Sequence, residues 1–235
     1  MCGIVGVLPR GQSGETQETT SRLRMLTDIL RHRGPDRQDV WTDGKAFLGA
    51  NRLAVQGLGV SGDQPMSDRH GRVRVVFNGE IYNHAVLRQE LERKGFEFRG
   101  GSDTEVIVNG YLAWGAAVLK RLRGMFALCI WDNRRQKLLL ARDRIGKKPL
   151  CYAFCNGSFL FASEIKGILA WPEMKRQPNF EAIHHYLSFQ YIPSPMTAFQ
   201  GILRLPPGCM MEISTDNEDC QPTSYAKLPS PEDVT

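Results

Sequence analysis

No stretch of about 18 consecutive apolar residues occurs in this 235-residue chain, so no segment has the length and hydropathy of a membrane-spanning helix. A charged-then-apolar leader is also missing from the start. Few aromatic residues interleave with the basic ones, which are scattered and separated by acidic residues. The net charge of +5 therefore reads as a solvated surface, and nucleic acid is not an expected partner. The six cysteines, Cys2, Cys129, Cys151, Cys155, Cys209 and Cys220, lack paired metal-ligand spacing. No metal site is expected, and the thiols are read as reduced in a cytoplasmic protein. No internal repeat is apparent.

What is present is an ordinary globular balance, 42% hydrophobic and 23% charged. A chain of this size can bury roughly 70–75% of its unfolded surface. The organising stretch is its start, Met1-Cys2-Gly3-Ile4-Val5-Gly6. Removal of Met1 would leave a thiol and a free α-amine on one carbon, a compact nucleophile-plus-base pair. The amine titrates near ~7.7–8.0, so it can accept a proton close to neutral pH. The apolar run from Gly3 to Leu8 reads as a buried strand that would fix this terminus.

Along the chain, Thr16–Arg31 reads as an amphipathic helix ended by Gly34-Pro35. Strands are expected at 39–42, 46–55 and 72–77, with Asn78-Gly79-Glu80 interrupting the last at its end. His84–Lys94 is a helix stopped by Gly95. Ser102 or Asp103 caps another that runs to Trp114. Gly124–Trp131 (GMFALCIW) is apolar at every second and every intervening position. Such a strand must lie in a sheet covered on both faces. Strands at 137–142, 150–155 and 158–162 follow, the last two joined by an Asn156-Gly157 hairpin turn. Helices follow at 163–171 and 180–190. Adjacent antiparallel strands plus helices give an α+β expectation: two antiparallel sheets packed face to face between helical layers. From Ser214 the chain turns polar and Pro-rich and reads as a linker.

Several side chains have two readings. Asn78-Gly79 could supply oxyanion donors or be a plain turn. Arg52 could hold a carboxylate in a bidentate pair or sit at the surface. Asp103 could bind an ammonium group or cap a helix. Together, thiol, amine, oxyanion donors, carboxylate clamp and ammonium clamp are the parts needed to hold a free amino acid and attack its side-chain amide.

The segments MCGIVGV, LRHRGPD, NRLAV, QPM, VFNGEIYNH, GSDTEVI, LRGMFALCIWD, LARDRIGKKPLCY and FASEIKGIL resemble, in order, the glutaminase domain of asparagine synthetases. These are class II glutamine amidotransferases of the N-terminal-nucleophile hydrolase fold. The resemblance implies a four-layer α/β/β/α sandwich over residues 1–213, with 214–235 leading towards an ATP-dependent synthetase domain. It implies Cys2 as nucleophile and Asn78 and Gly79 as the oxyanion pair. Arg52, Leu53, Val55, Glu80 and Asp103 would bind L-glutamine. No Ser-Gly-Gly-x-Asp-Ser pyrophosphate loop occurs. ATP and Mg are thus expected only for that further domain, acting in cis or in trans, and none is expected here. A homodimer is compatible with the resemblance. So are two other outcomes: ammonia supply to a sugar or cell-surface acceptor, and a non-catalytic fragment.

Overall fold

A computed structural model describes residues 1–10, 16–55, 59–215 and 220–226. The strands in chain order are β1 (Gly3–Pro9), β2 (Arg37–Thr42), β3 (Phe47–Arg52), β4 (Met66–Ser67), β5 (Val73–Ile81) and β6 (Gly124–Asp132). They continue with β7 (Lys137–Arg142), β8 (Cys151–Cys155), β9 (Ser158–Ala162), β10 (Ile202–Arg204), β11 (Cys209–Ser214) and β12 (Thr223–Ser224). The helices are α1 (Thr16–Ile29), α2 (His84–Arg93), α3 (Asp103–Trp114), α4 (Val118–Arg121), α5 (Ile165–Leu169) and α6 (Phe180–Phe189).

Two six-stranded sheets form, in the orders β10-β8-β9-β1-β3-β2 and β12-β11-β7-β6-β5-β4. Every pairing between neighbours is antiparallel. Side chains alternate across a pleated strand, and β6 uses both faces. Phe126, Leu128 and Ile130 enter the core shared with α2 and α3. Ala127, Cys129 and Trp131 enter the core between the sheets. In β1, Ile4 and Leu8 face the second sheet, while Val5 and Val7 pack under α1 and α5 with Leu23, Leu26 and Ile168. Three apolar layers thus join four structural layers, the α/β/β/α sandwich expected. The doubly covered reading of residues 124–131 holds because no position in that run is polar.

Several boundaries differ from the sequence expectation. Helix α1 stops at Ile29, and Arg31–Arg33 form a single 3-10 turn instead. Strand β3 ends at Arg52, so Leu53–Val55 leave the sheet. The hydroxyl of Ser102, not Asp103, caps α3 by accepting from the Thr104 N–H (3.2 Å). The hairpin turn at Asn156-Gly157 is present, with both φ angles positive (43° and 70°). Residues 220–226 do not trail away. Thr223–Ser224 pair with β11, and the buried Tyr225 donates its hydroxyl to the Arg142 carbonyl (2.8 Å). The polar composition after Ser214 therefore marks an edge strand laid on the body and not the end of the folded body. The remainder of that stretch, 216–219 and 227–235, lies outside the described residues.

Candidate active site

Cys2 sits one residue before β1. Gly3 is in register with Asn51 on β3, which brings the Cys2 thiol to the end of that neighbouring strand. The Leu53 N–H points at Sγ (3.5 Å), and Sγ lies 3.8 Å from the Leu53 carbonyl. The Cys2 carbonyl accepts from Nε of the buried Arg33 (3.0 Å). Arg33 is held in turn by Glu164 (2.7 Å), the residue before α5. Glu164 also meets His32 (3.0 Å). Burial alone would raise the Glu164 carboxyl, but the bonds from Arg33 and His32 outweigh it and hold the group below its ordinary value. The terminus is thus fastened on two sides before any ligand arrives.

The decisive geometry lies on β5. The expected interruption at Asn78-Gly79 is absent: the strand continues to Ile81, with Asn78 opposite Ala127 and Gly79 opposite Phe126. An Asn-Gly pair signals a turn only when nothing pairs with it, and β6 does. Beyond β4, which ends its pairing at Val75, the outer edge of β5 is served by side chains. The Phe77 N–H donates to Oε1 of Gln64 (2.6 Å). The Ile81 N–H donates to Oδ2 of Asp103 (2.9 Å). The Gly79 N–H lies between them on the same edge and has no partner among the described residues. Beside it, the Asn78 side chain is 1% exposed, and both its amide atoms lack a hydrogen-bond partner. Buried polar groups are nearly always paired, so two such orphans side by side mark a place built for a ligand. A side chain is excluded at Gly79: a Cβ there would collide with the Met125 carbonyl and come within 2.7 Å of the Phe126 Cα.

Two charged groups flank this edge. Arg52, the last residue of β3, is 7% exposed rather than at the surface. Its Nη1 donates to the Gly59 carbonyl (3.0 Å) and to Asp63 (2.9 Å). Asp103 opens α3 with its carboxylate turned inward, and burial raises its pKa against the bond from Ile81.

These groups share one cavity of about 270 Å³. All the expected residues line it: Cys2, Arg52, Leu53, Val55, Asn78, Gly79, Glu80 and Asp103. Met1 lines it too while remaining 59% exposed. Small-molecule sites run from roughly 300 Å³ upwards, so the space suits a compact metabolite. Gln64, Thr104, Met125 and Lys148 also contribute and were not anticipated. Gln64 acts through a bond to a strand distant in sequence, and Lys148 gains its place only from folding of the β7–β8 connection. Both lie in segments that carry the family resemblance, QPM and LARDRIGKKPLCY, but nothing in those segments marks these side chains as lining a site. No group of three or more His, Cys, Asp or Glu that could hold a metal occurs among the described residues.

A thiol beside an orphaned amide and an orphaned N–H, in a cavity with one cation and one anion at its walls, is the equipment of an amide-cleaving nucleophile enzyme. The chain belongs to the glutamine amidotransferase domain family, whose model matches residues 1–226. It is 35% identical over 218 residues to the glutamine-hydrolysing asparagine synthetase 1 of Bacillus subtilis (strain 168), covering 93% of this chain and 34% of that protein. It is 34% identical over 246 residues to the amidase chyE of Penicillium rubens, covering 100% of this chain and 35% of that protein. The chain therefore spans about a third of the length of these relatives. Among solved structures, a glutamine phosphoribosylpyrophosphate amidotransferase from B. subtilis superposes with a TM-score of 0.66 at 22% identity. That match covers 97% of this chain and 50% of the other. The fold is that of the N-terminal-nucleophile amidotransferases.

Proposed function

We propose that this chain is a glutaminase of the class II type, hydrolysing L-glutamine to glutamate and ammonia through a thioester on Cys2. The observation that carries the reading is the pair of unpartnered donors, the Asn78 amide and the Gly79 N–H, in one cavity with Cys2. Preorganised donors of this kind stabilise a tetrahedral oxyanion without reorganising when it forms. Arg52 receives the substrate α-carboxylate. Asp103, with Glu80 nearby, receives the α-ammonium. Leu53 and Val55 close the apolar side.

Once Met1 is removed, the Cys2 α-amine takes the thiol proton as Sγ bonds to the amide carbon. The negative charge moves to oxygen and is met by Asn78 and Gly79. The intermediate collapses by breaking the C–N bond, and the proton passes to departing ammonia. Water then attacks the thioester by the same geometry, releasing glutamate and restoring the thiol. With Met1 attached, the nitrogen is a peptide nitrogen and cannot take a proton, so the untrimmed chain is the non-catalytic alternative.

In the whole protein we infer that the ammonia serves ATP-dependent amidation of aspartate to asparagine, a reading supported by the bacterial relative named a glutamine-hydrolysing asparagine synthetase. ATP and Mg belong to that further domain and not to this one, and the protein works in the cytoplasm. A second acceptor is favoured by one observation, the likeness at 34% identity to a relative named as an amidase. Glutamate release is the test. The Met1-trimmed protein is expected to turn over L-glutamine, and Cys2→Ala to abolish turnover. Turnover that survives Cys2→Ala would overturn the proposal. Supplying the full gene product with ATP and aspartate separates the acceptors.

A further inference from the structure

Lys148 is the charged group of the cavity that the steps above leave unused. It is 8% exposed and lines the same space as Cys2 and Asn78. No carboxylate or carbonyl of the described residues lies within hydrogen-bonding or ion-pairing reach of its ammonium. The ammonium is not sealed in the protein interior but opens onto that space, where a ligand carboxylate can supply the partner that a largely buried lysine usually has. Of the other charged groups lining the cavity, Arg52 pairs with Asp63, Asp103 accepts from the Ile81 N–H, and Glu80 too has a partner.

The backbone of Lys148 is fixed tightly. Its N–H donates to Oδ2 of Asp143 (3.0 Å), and the same oxygen accepts from the Phe126 N–H (3.2 Å). Its carbonyl accepts from Nε of Arg142 (2.7 Å). Phe126 is in register with Gly79, and Ala127 lies between Asn78 and Arg142. Lys148 is therefore carried by β6 and β7, on the side of β5 that pairs within the sheet, and its side chain lines the cavity into which the oxyanion donors open. With Arg52 and Asp103 holding the α-carboxylate and α-ammonium in the proposed mode of binding, Lys148 is the charged group left for the γ-end.

We propose that Lys148 is a charge-reading residue for the γ-position: its ammonium pairs with the γ-carboxylate of glutamate. This rests on the glutaminase reading. Glutamine is neutral at that position and leaves Lys148 unpaired, whereas hydrolysis replaces the amide by a carboxylate and supplies the missing counter-ion. The site then holds its product more tightly than its substrate, and free glutamate restrains turnover.

The test is direct binding to Met1-trimmed Cys2→Ala protein, which cannot turn over, with L-glutamine and L-glutamate titrated separately by calorimetry. In the added presence of Lys148→Met, glutamate affinity is expected to fall about tenfold or more, the worth of a charge-assisted hydrogen bond, while glutamine affinity changes little. Lys148→Arg is expected to keep the preference for glutamate and serves as the folded control. Equal weakening of both ligands, or no change in either, would overturn the role of Lys148 and leave the glutamine site standing. Binding of neither ligand by the Cys2→Ala protein would overturn the glutamine site itself, and Lys148 with it.

Discussion

Asp103 carries opposite demands on one side chain. In the proposed role its carboxylate must be ionised to meet the substrate ammonium, yet burial raises its pKa. A carboxyl raised in the folded state contributes stability that is fully present below its unfolded value, ~3.9, and lost as pH rises through the folded value. At neutral pH the ionised Asp103 therefore costs stability. Asp103→Asn is expected to melt at a higher temperature than the parent at neutral pH, with the gap closing in acid. The same variant is expected to raise KM for glutamine, because an amide offers no counter-charge. In the parent, KM should climb on acidification from a pH above the usual carboxylate range. A variant that melts lower at neutral pH, or a KM independent of pH, would contradict this account. Asn78→Ala tests the donors separately. Losing one oxyanion donor typically lowers kcat by ~10²–10³, and since no protein partner of Asn78 is lost, the melting temperature should hardly move.

At the scale of elements, β5 does two jobs along one edge: its N–H groups at Phe77 and Ile81 fasten Gln64 and Asp103, and the one between them stays open. The strand must pass flat against β6 for this, which is why position 79 admits no Cβ. Gly79→Ala is expected to destabilise by about 1–3 kcal/mol, the usual cost of overpacking, and to abolish glutaminase activity. Denaturant unfolding would show the first effect and glutamate release the second; full activity in the variant would mean that the strand has room to shift. The turn before β2 and the start of α5 form the matching clamp on the other sheet, through Arg33 and Glu164. Glu164 titrates low, so its contribution is present above the unfolded carboxylate value and lost as pH falls through the folded one. Glu164→Gln should therefore flatten the acid limb of the stability curve.

The sandwich itself was legible in the sequence because residues 124–131 and 3–8 have no polar face to give to water. The site was legible only as residue types. Asn78-Gly79 carries a local turn signal that cross-strand pairing overrides, so its meaning depends on β6, about fifty residues away in the chain. Ser102 and Asp103 compete for one cap position, and the bond from Ile81 decides between them by drawing Asp103 inward. The edge strand at 223–224 was hidden because an edge needs backbone hydrogen bonds, not apolar side chains.

For the molecule as a whole, both sheets serve one junction. The first delivers Cys2 and Arg52, the second delivers Asn78, Gly79 and Glu80, and α3 closes the space with Asp103. Hydrolysis at this junction, by the proposed route, requires a covalent bond formed there. Met1-trimmed protein mixed with L-glutamine, quenched in acid within a turnover and digested, should yield an amino-terminal peptide heavier by one γ-glutamyl group on Cys2. Rapid glutamate release with that peptide unmodified, or with the adduct on another residue, would contradict it.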